Sequence, residues 1–146
     1  MDEISVALSN VNSPEALQLF SEHDDFMINF LGDDKIYYTR YNESENLNAV
    51  WLARRGDKTV GGAAYRVMSS GTGELKRMFV KSEYRRRGIS KLLLASVEEY
   101  AKRRGDRALH LGTRSTLEPA VTLYRNSGFT ETYRNGLYVE MEKSLK

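Results

Sequence analysis

The apolar period of this chain changes near its middle, and that change limits what it can fold into. Between Ala49 and Val80 the apolar residues fall in short runs separated by turn residues. After that they recur at Ile89, Leu92, Leu93, Val97, Tyr100 and Ala101, the spacing of one helix face. Several short strands followed by a helix imply an architecture that combines both element types. Ala49 to Arg54 reads as a strand, Gly56-Asp57-Lys58 as a turn, and Thr59 to Met68 as the returning strand. A second loop, Ser69 to Gly73, leads into a third strand, Glu74 to Val80. Three strands joined by short turns favour an antiparallel meander.

Beyond the helix, Gly105 is placed to end it, and the short apolar run Ala108 to Leu111 follows as a strand lying parallel to a neighbour. A further helix carries Ala120, Leu123, Tyr124 and Ser127, and two closing strands flank the hairpin signal Asn135-Gly136. Upstream, Glu3 to Leu8 alternates as a strand, and Ser13-Pro14-Glu15 reads as a helix cap and first turn. Leu17 and Phe20, then Phe26, Phe30 and Leu31, suggest two short helices. Gly32 to Asn48, with Tyr37, Tyr38 and Tyr41 among polar residues, reads as irregular. The expected fold is a single α+β domain over residues 1–146, with a mixed, mainly antiparallel sheet of about seven strands flanked by about four helices.

Composition narrows the chemistry. With no cysteine among 146 residues, a disulfide framework, a thiolate zinc site and a cysteine nucleophile are all excluded. His23 and His110 are the two histidines and lie far apart in sequence, so no metal site is expected. No apolar run approaches the roughly 20 residues that span a bilayer. The acidic start Met1-Asp2-Glu3 does not resemble a signal peptide, so the expected location is the cytoplasm, with no membrane partner. The net charge is only +2, yet Arg85-Arg86-Arg87, Lys91, Lys102-Arg103-Arg104 and Arg107 crowd one stretch. That distribution suits a small polyphosphate better than a nucleic acid.

The stretch Arg85-Arg86-Arg87-Gly88-Ile89-Ser90-Lys91 lies between a strand and a helix. Glycine there permits close approach of a ligand, and the helix start offers unpaired N–H groups and the positive end of a dipole. A solvated basic turn would show the same bare pattern. In context the segment resembles motif A of the GNAT superfamily of N-acetyltransferases, Arg/Gln-x-x-Gly-x-Gly/Ala, with Ser90 where Gly or Ala is usual. Serine is small and keeps its backbone N–H. Glu74-Leu75-Lys76-Arg77-Met78-Phe79-Val80 is similar to that family's fourth strand, and Glu118 to Phe129 to its motif B helix, ending in Gly128-Phe129. The resemblance covers Val50 to the C-terminus well and the first 48 residues loosely.

The resemblance implies an acetyl-CoA-dependent N-acetyltransferase acting by direct attack of an amine in a ternary complex, with a small-molecule or peptide-like acceptor. It implies that Arg85, Arg86, Arg87, Gly88, Ile89, Ser90 and Lys91 surround the CoA pyrophosphate. The backbone of Met78, Phe79 and Val80 would bind pantetheine and the thioester oxygen if that strand bulges. The family pattern makes Glu74 the candidate base and Tyr124 the candidate acid toward the CoA sulfur. Glu74 also reads as a strand-entrance residue, solvated or paired with Lys76, and Tyr124 as a packing residue. Arg77 faces an acidic substrate or solvent; His110 reads as a packed strand residue and His23 as a surface one. Gly61-Gly62 and Gly71-x-Gly73 read as turns and close packing. Tyr37, Tyr38, Tyr41 and Phe30 are candidates for the acceptor pocket. The short link at Asn135-Gly136 implies an open acceptor site, and the family favours a homodimer. The alternative is a module that binds acyl-CoA as a sensor or partner subunit without turnover.

Overall fold

The structure is a computed structural model that describes residues 3–32 and 46–146. Tyr37, Tyr38 and Tyr41 lie outside the described residues. Seven strands form one sheet: β1 (Ile4–Ser9), β2 (Ala49–Arg55), β3 (Lys58–Ser69), β4 (Thr72–Val80), β5 (Ala108–Arg114), β6 (Thr130–Asn135) and β7 (Tyr138–Ser144). The spatial order is β1-β2-β3-β4-β5-β7-β6, and only β4 and β5 pair in parallel. The meander and the closing hairpin are as expected. The loop before β4 is shorter than expected, since Thr72 and Gly73 already belong to the strand.

The described residues hold three α-helices, α1 (Pro14–Leu31), α2 (Ile89–Arg103) and α3 (Glu118–Asn126), with one 3-10 turn at Ser82–Tyr84. The two short N-terminal helices expected from the sequence are one helix. Ala16, Leu19, Phe20, His23 and Met27 make a continuous buried stripe along it. His23 fills an apolar position, and reading it as polar breaks the pattern. The start of α1 is as expected: the Ser13 hydroxyl accepts from the Ala16 N–H at 3.1 Å, and Pro14 occupies the first turn. No helix among the described residues is long and apolar enough to cross a membrane.

The sheet separates two apolar layers. Alternation sends Trp51, Ala63, Tyr65, Leu75, Leu109, Val139 and Met141 to the α2 and α3 face, where they meet Ile89, Leu93, Val97, Tyr124 and Phe129. Val50, Leu52 and Ala64 point the other way, against Ala16, Leu19 and Phe20 of α1. Close approaches make glycine necessary at Gly62 and Gly73, among other positions. A Cβ on Gly62 would lie 2.5 Å from the Leu19 side chain, and one on Gly73 would lie 2.1 Å from the Tyr65 ring. Tyr65 cannot yield easily, because its hydroxyl donates to Asp106, Arg104 donates to that hydroxyl at 3.2 Å, and Tyr100 packs edge-on at 5.0 Å. Burial and the Asp106 bond push this phenol up to about 12.

Candidate active site

Two features of β4 set the geometry. The first is a bulge. Gly62 pairs with Phe79 and Ala64 with Lys76, so Arg77 and Met78 together oppose Ala63. Arg77 takes up the extra residue with φ 57, a left-handed conformation that costs an L-residue roughly 1–2 kcal/mol. Its side chain is 7% exposed, ion-paired with Asp24 of α1, and lies 5.1 Å from the centre of the Phe20 ring. Arg77 is therefore buried and does not face solvent. It holds the bulge against α1.

The second feature is a parting of strands. The β4–β5 ladder comprises Thr72↔Ala108, Gly73↔Leu109 and Glu74↔His110, and then stops. Both strands run on, β4 along β3 to Val80 and β5 along β7 to Arg114. Among the described residues, the β5-facing edge of β4 is thus left without a partner strand just where the bulge re-aims the backbone of Met78, Phe79 and Val80. An open strand edge is a row of hydrogen-bonding groups available to an extended ligand.

Glu74 stands at the last paired position before the strands part. It is buried, not solvated, and Arg66 of β3 pairs with it. The Arg66 Nε and Nη2 atoms reach Glu74 Oε1 at 2.8 and 2.6 Å. Strand alternation puts Arg66, Glu74, Lys76 and His110 on one face of the sheet, opposite Leu75, Leu109 and Leu111. From β7, Tyr138, Glu140 and Glu142 join the same face, while Val139 and Met141 enter the core. The Tyr138 hydroxyl donates to Glu140 at 2.9 Å; burial, this bond and the charges of Glu140 and Glu74 push the phenol up.

The chain leaves β4 through a loop built to present N–H groups. Arg86 (φ 64) and Gly88 (φ 77) are both left-handed, and Gly88 caps α2. No side chain caps this helix, and its first internal bond runs from the Leu92 N–H to the Gly88 carbonyl at 3.2 Å. The Ile89, Ser90 and Lys91 N–H groups therefore have no acceptor within the helix and point outward at the positive end of its dipole. Arg86, Arg87 and Lys91 are exposed around them. Arg85 differs: its Nε donates to the Val80 carbonyl at 2.9 Å and its guanidinium lies 5.0 Å from the centre of the Phe26 ring. It ties the loop to β4 and α1. The Ile89 side chain is in the core, so only its backbone faces the loop.

Tyr124 lies on α3 in the opposite layer from Glu74, 5.8 Å from Phe129 between ring centres. Burial pushes its hydroxyl well above the usual phenol range, so it stays protonated as a donor. Phe30 is 41% exposed. Among the described residues no group of three His, Cys, Asp or Glu side chains is placed to hold a metal ion.

His23 overturns its surface assignment. It is buried and stacks on Phe79 at 5.0 Å. Burial, reinforced by Arg77 and opposed by Asp24, lowers its pKa from 6.5 to about 4. The unfolded chain therefore binds this proton first, and stability falls as the pH drops from 6.5 toward 4. The loss from this group reaches about 3 kcal/mol at most. Urea denaturation at stepped pH checks this: His23→Phe flattens the slope in that window, and an unchanged slope contradicts the burial argument.

The polar group around His110, Arg66, Tyr138, Glu140 and Glu142 was not anticipated as a site. One signal was available, the strict alternation Tyr138-Val139-Glu140-Met141-Glu142, which puts every second residue on the polar face.

A family model described as the acetyltransferase (GNAT) family matches residues 16–129. The chain is 30% identical over 146 residues to the IAA acetyltransferase of Azospirillum brasilense, covering 94% of this chain and 92% of that one. It is 35% identical over 81 residues to the uncharacterized N-acetyltransferase YsnE of Bacillus subtilis, 54% of each chain. The chain spans about half the length of the first curated relatives it matches (54%, 50% and 41%). Its fold superposes on the PaiA N-acetyltransferase of Thermoplasma acidophilum in complex with coenzyme A, with a TM-score of 0.72, 18% identity, and coverage of 97% of this chain and 98% of that one.

Proposed function

Because the chain belongs to the acetyltransferase (GNAT) family, we propose that it transfers an acetyl group from acetyl-CoA to an amine by direct attack in a ternary complex. The observation that carries this reading is the continuity of β4. A bulged strand edge abandoned by its neighbour leads directly into a loop of outward N–H groups. An extended thioester with a pyrophosphate at one end matches that layout. The N–H groups of Gly88 to Lys91 take the pyrophosphate, with Arg86, Arg87 and Lys91 adding charge. Serine at position 90 preserves the backbone donor. Arg85 positions the loop. The Met78 to Val80 backbone pairs with pantetheine and aims a donor at the thioester oxygen, where negative charge develops.

An alkylammonium has a pKa near 10, so about one molecule in a thousand is neutral at pH 7. Glu74, at the point where the strands part, takes the proton directly or through a water. Tyr124, held protonated by burial, donates to the departing thiolate. The link between β6 and β7 is only Gly136 and Leu137, which supports an acceptor site open to small-molecule or peptide-like amines.

The test follows thiol release from acetyl-CoA across a panel of amines; a chain without cysteine adds no thiol background. Amine-dependent release that falls about 10- to 100-fold in Tyr124→Phe supports the reading. Saturable binding of acetyl-CoA without release for any amine replaces it with the sensor module.

A further inference from the structure

A strand edge that binds an extended thioester has to keep its shape without a neighbouring strand. Beyond Glu74 the ladder to β5 has ended, and another strand there would take up the hydrogen-bonding groups that the ligand needs. Support has to come from one face of the sheet, and α1 gives it at successive points. Asp24 is ion-paired with Arg77, and Phe20 lies under the same guanidinium. His23 stacks on Phe79 at 5.0 Å, and Phe26 packs against the same ring at 5.9 Å. Farther along the chain, Glu22 lies 3.4 Å from Lys81, and the Arg85 guanidinium lies over Phe26.

The contact at Arg77 differs in kind from the others. Within β4 only Arg77 has a positive φ, at 57. A residue with a side chain does not hold that conformation unaided, whereas glycine adopts it freely. Arginine suits the position only if its side chain is used. Here the guanidinium is 7% exposed against 38% for Asp24, so the pair is partly shielded and its attraction exceeds that of an open surface pair. The bulge sets where the next N–H groups point, and such donors act only when aimed in advance at the developing charge.

We propose that Asp24 is a positioning residue: through its ion pair with Arg77 it holds the β4 bulge in the conformation that aims the following N–H groups at the thioester oxygen. This rests on the acetyl-transfer reading. The aimed donor strengthens its bond as negative charge develops, so turnover responds more than ground-state affinity.

The test follows amine-dependent thiol release at saturating acetyl-CoA, with a calorimetric titration of acetyl-CoA beside it. Asp24→Asn lowers kcat by about tenfold and changes the Kd of acetyl-CoA by less than about twofold. Arg77→Gly, free to adopt the left-handed conformation, turns over at least about fivefold faster than Arg77→Ala. Adding Asp24→Asn to Arg77→Gly changes kcat by less than about twofold, because the pair no longer exists to be broken. A role confined to general stability would not be rescued by glycine, the residue that costs most to order. Three results overturn the proposal: unchanged kcat in Asp24→Asn, equal turnover in Arg77→Gly and Arg77→Ala, or an undiminished effect of Asp24→Asn in Arg77→Gly. If Arg77→Ala fails to fold, Asp24→Asn, Arg77→Gly and their double variant decide the matter. Absence of amine-dependent release in the unaltered protein, despite acetyl-CoA binding, is a separate result that removes the acetyl-transfer reading and the proposal with it.

Discussion

Replacing Glu74 with glutamine is expected to lower kcat/KM for the acceptor amine by about 10²- to 10⁴-fold at pH 7, with acetyl-CoA affinity nearly unchanged. Glutamine keeps the volume of the side chain and still offers an oxygen to Arg66, so the substitution removes the base while preserving most of the shape. The two ligands should respond differently because they meet different parts of β4. Acetyl-CoA is assigned to the edge beyond the bulge and to the α2 loop, whereas the acceptor's proton is assigned to the last paired position before the strands part. Initial-rate kinetics with a calorimetric titration of acetyl-CoA separate the two. A fall of less than about threefold in kcat/KM would move the base elsewhere, to His110 or a bound water.

Gly73→Ala is expected to destabilise the fold by about 3 kcal/mol, the upper end for overpacking a core. In a domain of this length that lowers Tm by roughly 10 °C. The new Cβ would lie 2.1 Å from the Tyr65 ring, which Asp106, Arg104 and Tyr100 hold on three sides. The effect is relieved only when the ring is removed. Gly73→Ala/Tyr65→Leu should therefore be less destabilised than the two single changes added together. Thermal unfolding of the four proteins completes the cycle. A Gly73→Ala variant that melts with the parent protein would mean the ring is not anchored. The position matters beyond stability, since Gly73 immediately precedes Glu74 and pairs with Leu109 of β5.

Much of the fold was legible because local rules and tertiary packing agree. Turn glycines, the N-terminal proline and the Asn135-Gly136 hairpin each suit the backbone they occupy. The failures share a cause, residues whose burial contradicts their type. His23 sits in an apolar stripe, so α1 was split in two. Gly73 falls in the expected loop Ser69 to Gly73, yet its contact with Tyr65 and its pairing in the ladder belong to β4, so the strand begins earlier than expected. Arg77 has no intrinsic preference for a left-handed conformation; Asp24 and Phe20, distant in sequence, support it. In the candidate site, glycine and charge mark the loop from Arg85 to Lys91, but a solvated basic turn shows the same pattern, and the family resemblance assigns the loop to phosphate. Arg85 and Ile89, however, serve the loop and the core with their side chains. The Arg66 contact with Glu74 and the two glutamates at His110 depend on strand order and register, which no local pattern specifies.

In the proposed mechanism the β4 edge and the α2 loop together hold acetyl-CoA. The most direct test is a calorimetric titration of the purified protein with acetyl-CoA. Saturable one-to-one binding that weakens as salt rises is expected, because phosphate charge meets Arg86, Arg87 and Lys91. No detectable binding at low salt would overturn this assignment, and with it the roles proposed for Glu74 and Tyr124.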